Sequence, residues 1–238
     1  MKALILNSGL GSRMGDATKK APKCMSVIRE DTTILSNQID LLKECGIHDI
    51  VITTGAHNEV LKDYLKNRYP DEDFTFVHND IYDKTNYIYS IYLARKFLVD
   101  DIVLMHGDLV FKKQVLEGIL KCNDSCVVTD KSLPLPEKDF KAVIKDGNVI
   151  KVGIEYFDNA CACQPLYKLK KKDWLVWLRS IVDFCENDNR KVYAENALNE
   201  VSAEAHIVPY DIKGLLCQEI DTLDDLKKVK IAFEQTGI

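Results

Sequence analysis

Two groups of residues in this 238-residue chain have types and spacing suited to phosphate chemistry. The first lies in "LNSGLGSRMGDATKKAPKCM", residues 6–25, where Gly9, Gly11 and Gly15 follow an apolar run and Arg13 and Pro22-Lys23 supply two separated cations. Glycines at such a point let backbone N–H groups turn inward and approach an anion. Arg13 offers a planar fork to phosphate oxygens, and Lys23 a point charge positioned by the proline before it. No Gly-Lys-Ser/Thr follows, so this is not a Walker loop, and Met14 stands where a dinucleotide fingerprint has its third glycine. The second group is acidic. "LMHGDLVF" sets Asp108 behind an apolar strand and a glycine, and "CQEIDTLDDL" sets Glu219 and Asp221 two apart on one face of an extended segment. One or two carboxylates beside substrate phosphates are the usual setting for Mg2+. Asp224 and Asp225 have a plainer role as acids in the first turn of a helix.

These residues need a scaffold that gathers strand ends. Lys2–Asn7 is an apolar run of strand length. Residues 33–45 carry Ile34, Leu35, Gln38, Leu41, Leu42 and Cys45 at helical spacing, with Gly46 as the stop. Strands at 49–55, 73–77, 101–106 and Ser125–Asp130 then alternate with helices at 58–69, 86–98 and 113–120. Such alternation predicts an α/β fold: a Rossmann-like, mostly parallel sheet with helices on both faces and ligands beyond the carboxyl ends of its strands. The pattern changes near residue 131. A proline-bearing loop, "LPLPEKDF", leads to a hairpin over 141–153 that turns at Asp146-Gly147. The amphipathic stretch Lys171–Glu186 predicts a helix whose Trp174 and Trp177 face the core. A last helix spans 222–234, with Thr222 as N-cap and Asp225 completing a capping box.

With 46% hydrophobic residues the chain can bury a substantial core. Its net charge of −5, from interspersed Lys and Asp/Glu, lacks the clustered basic excess of a nucleic-acid binder. No apolar run approaches a membrane span and no leader pattern precedes the first strand, so a cytoplasmic protein without a membrane partner is expected. The eight cysteines lack zinc-site spacing and are expected as reduced thiols, with Cys161 and Cys163 on one face of a core strand.

"LILNSGLGSRMG…KAPKCM" resembles the N-terminal fingerprint of the nucleotidyltransferases that join a nucleoside monophosphate to a phosphorylated acceptor, with Asn7-Ser8 where Ala-Ala is commoner; later segments match in order along nearly the whole chain. Asn86-Tyr87-x-Tyr89-Ser90 resembles bacterial single-domain choline-phosphate cytidylyltransferases. "LPEKDFKAVI" and "VYAENALNEV" look more like cytidylyltransferases of phosphonate biosynthesis. The resemblance implies a nucleotidyltransferase fold in one domain, residues 1–238, with a small hairpin-and-helix subregion at 131–200 on the acceptor side. It implies a nucleotide site at Leu6, Asn7, Ser8, Gly9, Gly11, Ser12, Asn86 and Ser90, and catalytic cations at Arg13 and Lys23. Mg2+ is the implied cofactor, held by Asp108 and Asp221 with Glu219 beside them. Acceptor contacts would come from Lys138, Asp139, Phe140, Lys141, Tyr193, Glu195 and Asn196, with Lys138 and Lys141 holding an anionic oxygen and Glu195 or Asp139 an ammonium.

The implied reaction is attack by an acceptor phosphate or phosphonate oxygen on the α-phosphorus of CTP, with loss of pyrophosphate. An anionic nucleophile needs no general base, so alignment and charge neutralisation carry the catalysis. A satisfied structural role is expected for His106. The favoured acceptor is a small phosphonate such as 2-aminoethylphosphonate, with phosphocholine second and a sugar 1-phosphate behind. Phe140 and Tyr193, one aromatic in each acceptor segment, are thin for a cage around a quaternary ammonium. The sequence leaves the oligomeric state open, a homodimer included.

Overall fold

The computed structural model describes residues 1–9 and 11–235, the side chains of Ser12, Ala17 and Gln235 excepted, so the contact expected of Ser12 lies outside the described residues. The first half alternates as its apolar periodicity dictates. Strand β1 is Lys2–Asn7, and a small hairpin of β2 (Val27–Arg29) and β3 (Thr32–Thr33) leads into helix α1 (Ile34–Glu44). Then come β4 (Ile50–Thr54), α2 (Asn58–Arg68), β5 (Phe74–His78), α3 (Tyr87–Ala94), β6 (Ile102–His106), β7 (Leu109–Phe111), α4 (Lys113–Lys121) and β8 (Ser125–Asp130). The second half holds β9 (Lys141–Lys145), β10 (Asn148–Gly153), β11 (Ala160–Leu169), α5 (Lys171–Glu186), α6 (Ala194–Val201), β12 (Ile207–Asp211), β13 (Cys217–Glu219) and α7 (Leu223–Gln235).

Strands β5, β4, β1 and β6 are parallel neighbours, and every residue of β4 and β6 is buried. Such continuous apolar runs fit strands covered on both faces. The alternation of elements gives no warning of β11, which runs antiparallel between β6 and β8, with β12 returning parallel to β8. A register shift between Gln164 and Tyr167 lets the start of β11 also carry the β9–β10 hairpin. That hairpin turns through Asp146 and Gly147, both at positive φ, the conformation Asp-Gly accepts.

Helices α3, α5 and α6 cover one face of the sheet, and α1, α2 and α4 the other. Trp174 and Trp177 lie in the first of these cores, with indole N–H groups donating to the Leu98 and Ala194 carbonyls at 2.7 and 2.9 Å. Cys161 and Cys163 are buried on β11, and all eight cysteines are free thiols. Thr222 and Asp225 exchange the hydrogen bonds of a capping box at the start of α7. Among the described residues no helix is long and apolar enough to cross a membrane.

One small element decides the site. Strand β13 pairs antiparallel with β7, Glu219 opposite Leu109, and the Ile220 N–H donates to the Asp108 carbonyl at 2.9 Å. Residues 113 positions or so apart in the chain are thereby held at one strand end.

Candidate active site

The glycine loop closes over a cavity of about 240 Å³ lined by Asn7, Gly9, Gly11, Arg13, Lys23 and Asp108, among others. Gly11 adopts φ +63, and a Cβ there would press to 3.1 Å on both Lys23 and Thr18. Only a residue without a side chain lets Lys23 pass so close. Pro22, extended, delivers Lys23 into a short 3-10 turn. Gly107 is equally constrained, because a Cβ would meet Asn7 Oδ1 at 1.8 Å. Asn7 Nδ2 is buried with no hydrogen-bond partner, whereas the Ser8 hydroxyl is engaged by Thr53 and Ser90 at 2.9 and 2.7 Å.

Lys23 joins the acids. Its ammonium lies 2.5 Å from Asp108 Oδ2 and 2.9 Å from Asp221 Oδ1, and Arg13 reaches the other Asp221 oxygen at 2.9 Å. Burial opposes the charge on Lys23, but the two carboxylates outweigh it and hold the ammonium above its ordinary range. Burial likewise disfavours the Asp108 carboxylate; Lys23 and His106 prevail and hold it below the usual carboxylate range. The second oxygen, Asp108 Oδ1, is buried without a partner. His106, Asp108 and Glu219 present ligand atoms within 4.8 Å of one another. Of the expected metal ligands the structure brings Asp108 and Glu219 together with His106. Asp221 is not in that group and is joined to Asp108 only through the Lys23 ammonium, so Asp108 Oδ1 is the carboxylate oxygen left free for a hard divalent cation. Glu219 is placed differently from the other two acids. Its Oε1 is taken by His106 Nδ1 at 2.9 Å, and burial together with the Asp108 charge pushes it up to about 7. Burial of His106 is outweighed by Glu219, Asp108 and Glu195, which raise the imidazole to about 9.

Asn86 caps α3 and lines a second cavity of about 160 Å³, with Ser8, Gly9, Tyr87, His106 and Asp108. Ser90 also borders it, but its hydroxyl accepts from Ser8 and from Asn79 Nδ2, which ties α3 to the glycine loop.

The expected acceptor residues separate. Phe140 and Tyr193 meet edge to face at 5.1 Å, and Glu195 is buried. Asp139 sits at the rim; partial burial and the facing Asp221 and Asp225 raise its carboxyl. Lys138 is exposed. Lys141 turns inward instead: its ammonium has no exposed surface and donates to the Pro136 and Asp139 carbonyls at 2.6 and 3.1 Å, pinning the loop. Asn196 receives the Tyr193 N–H at 3.0 Å and so caps α6.

Three residues do work that their own segments do not announce. Tyr87 donates its hydroxyl to Glu195, as does Tyr167 at 3.0 Å, so two phenols hold that buried carboxylate. Tyr87 also brings a third ring, 6.0 Å from Tyr193 and 4.6 Å from His106. Gln38, wholly buried on α1, donates to the His106 and Leu109 carbonyls at 2.8 and 2.7 Å and fixes the turn that carries Asp108. A glutamine inside an apolar helical stripe is a signal available in the sequence.

Comparison with known proteins bears on this arrangement. Residues 3–145 match the MobA-like NTP transferase domain. The chain belongs to that family. Among its relatives, the CTP:phosphoglutamine cytidylyltransferase of Campylobacter jejuni is 34% identical over 64% of this chain and 62% of its own length. The choline-phosphate cytidylyltransferase of Streptococcus pneumoniae is 26% identical over 97% of both chains. The CMP-5'-(3-aminopropyl)phosphonate synthase of Streptomyces rubellomurinus is 30% identical over 54% of this chain, which spans only 20% of that longer protein. A solved CTP:phosphocholine cytidylyltransferase from S. pneumoniae superposes with a TM-score of 0.75 over 98% of each chain. At 22% identity that superposition shows the shared fold of this NTP transferase domain, a mostly parallel sheet flanked by helices.

Proposed function

We propose that this NTP transferase domain is a Mg2+-dependent cytidylyltransferase that moves CMP from CTP to a small phosphonate such as 2-aminoethylphosphonate, releasing pyrophosphate. One observation carries the reading: Lys23 bridges Asp108 and Asp221 at the mouth of the glycine-loop cavity, with Arg13 on the same Asp221. A triphosphate needs backbone donors, cations and a carboxylate-held divalent ion at one point, and residues from both ends of the chain meet there. Asp108 and Asp221 would hold the metal, which when bound neutralises triphosphate charge and orients the phosphates. Lys23 and Arg13 neutralise the oxygens of the reacting phosphate and the leaving pyrophosphate. The acceptor oxygen is already an anion, so no residue need remove a proton from it.

The acceptor end supports a cationic substrate. The rings of Tyr87, Phe140 and Tyr193 form an aromatic wall, with the His106 ring against Tyr87 and Phe140 and the buried Glu195 behind Tyr87. Aromatic faces and a desolvated carboxylate attract an amine. The relatives named for phosphoglutamine, choline phosphate and aminopropylphosphonate share a phosphoryl group on a small nitrogen-bearing chain. Phosphocholine is the second reading, favoured by the third ring that Tyr87 adds to the wall. The test is pyrophosphate release with Mg2+, each of the four NTPs, and 2-aminoethylphosphonate, phosphocholine or glucose 1-phosphate. Turnover with CTP and an amine-bearing acceptor is expected. Turnover confined to UTP and the sugar phosphate would overturn the reading.

A further inference from the structure

Asn7 ends β1 with only 8% of its surface exposed, and it borders the 240 Å³ cavity together with Arg13, Lys23 and Asp108. Its backbone N–H is spent on Thr53 Oγ1 at 3.1 Å, so the donor it has left for a ligand is the side-chain amide. The amide oxygen fills the space beside Gly107 that a Cβ would need, which holds the amide one residue from Asp108. Its Nδ2 is buried with no hydrogen-bond partner. Leaving a buried donor unpaired is costly, so it marks a place for a ligand oxygen. Two cations in the same cavity select an anion, toward which an amide turns its N–H2. The two cavities fix which oxygen this is. The 160 Å³ cavity at the head of α3 and the 240 Å³ cavity under the glycine loop have Leu6, Gly9 and Asp108 in common. Asn86 lines only the first, and Arg13 and Lys23 only the second. With the nucleoside in the first and the pyrophosphate in the second, the phosphoryl group that joins them crosses at Asp108. We propose that Asn7 is a catalytic residue whose side-chain amide donates to a non-bridging oxygen of the α-phosphoryl group of CTP. In the transfer the acceptor oxygen bonds to the α-phosphorus while the bond from that phosphorus to the pyrophosphate oxygen breaks, and the electron pair leaves with pyrophosphate. No proton moves. The amide keeps its hydrogens, and its bond to the phosphoryl oxygen holds the group in line and stabilises the charge spread over it. This rests on the cytidylyl-transfer reading given above and gives the reacting phosphorus a neutral donor beside the two cations.

Asn7→Ala and Asn7→Asp separate donation from space filling. The aspartate keeps the shape against Gly107 but puts an acceptor where the donor was. Both variants should lower kcat about a hundredfold or more, the scale of removing one preorganised donor, with the acceptor KM within about threefold of wild type. Loss of turnover in the alanine variant that the aspartate restores, or a kcat within about threefold of wild type in both, would overturn the proposal. A second signal needs neither a variant nor turnover. In 15N spectra of the wild-type protein with Mg2+, CMP should shift the side-chain NH2 pair of Asn7, and cytidine and inorganic pyrophosphate should not. No shift with CMP, or an equal shift with cytidine or pyrophosphate, would also overturn it. Failure of the wild-type protein in the NTP and acceptor panel would sink the cytidylyl reading itself, whereas the amide shift is scored without an acceptor and without catalysis.

Discussion

The two ends of the cleft are built on opposite principles. At the glycine loop every charge has a counter-charge: Lys23 lies between Asp108 and Asp221, and Arg13 completes the set. At the proposed acceptor end Glu195 lies buried with phenols as its partners, and the Lys141 ammonium is engaged by backbone carbonyls. On the proposed function, the first arrangement is a preformed site in which a triphosphate and its metal would replace one set of ionic partners with another. The second sets aromatic rings over a buried acidic side chain, a place that on the proposed function would receive the amine of the acceptor. Nucleotide binding should therefore tolerate changes at the proposed acceptor end, and acceptor binding should depend on Glu195.

The largest effect should come from the ionic end. Asp108→Asn is expected to lower kcat roughly a thousandfold, the scale of removing one preorganised charge from a reacting phosphate. The fold should survive, because Lys23 keeps its bond to Asp221 at 2.9 Å, and circular dichroism and the melting temperature check this. Near-normal turnover would remove Asp108 from the metal site. At the other end, Glu195→Gln keeps an acceptor for Tyr87 and Tyr167 but loses the charge. The acceptor KM should then rise about tenfold with the CTP KM unchanged, since a buried charge acts strongly at short range. An equal effect on both substrates would erase the division between the two ends.

Lys141→Met tests whether that lysine is structural. Leaving the Pro136 and Asp139 carbonyls without their donor should cost about 1–3 kcal/mol in denaturant unfolding and leave CTP affinity intact. The smallest effect is a pH dependence. His106, ordinarily near 6.5, is held at about 9, and Glu219, ordinarily near 4.5, at about 7. Over these ranges the folded protein binds more protons than the unfolded chain, so stability falls as pH rises. The stabilisation from His106 is fully present below about 6.5 and lost through about 9. Melting temperature should decline over that window, less steeply in His106→Gln. A rise would contradict the assigned proton uptake.

The same contrast explains what the sequence made legible. The glycine loop, Arg13 and Lys23 lie within 20 residues, and Asp108 follows an apolar strand, so local pattern suffices to find them. The parallel half of the sheet reads off the alternation of buried strands and amphipathic helices. The proposed acceptor wall takes Tyr87 from α3, Phe140 from the residue before β9, and Tyr193 and Glu195 from the start of α6; the family resemblance names the last three, and no spacing in the sequence ties them to Tyr87. Nor does periodicity tell that Lys141 points into the protein, because a lysine at the start of a strand ordinarily keeps its ammonium in water. The antiparallel course of β11 is invisible for a related reason: burial marks a strand, and direction depends on the pairing of distant residues.

The most direct test of the central claim is the affinity of the protein for CTP, measured by titration calorimetry with and without Mg2+, in wild type and in Asp108→Asn. A carboxylate-held ion shared with the triphosphate predicts that Mg2+ tightens CTP binding about tenfold or more in wild type and has almost no effect in the variant. If Mg2+ strengthens binding equally in both, the nucleotide does not dock at the carboxylates that Lys23 bridges.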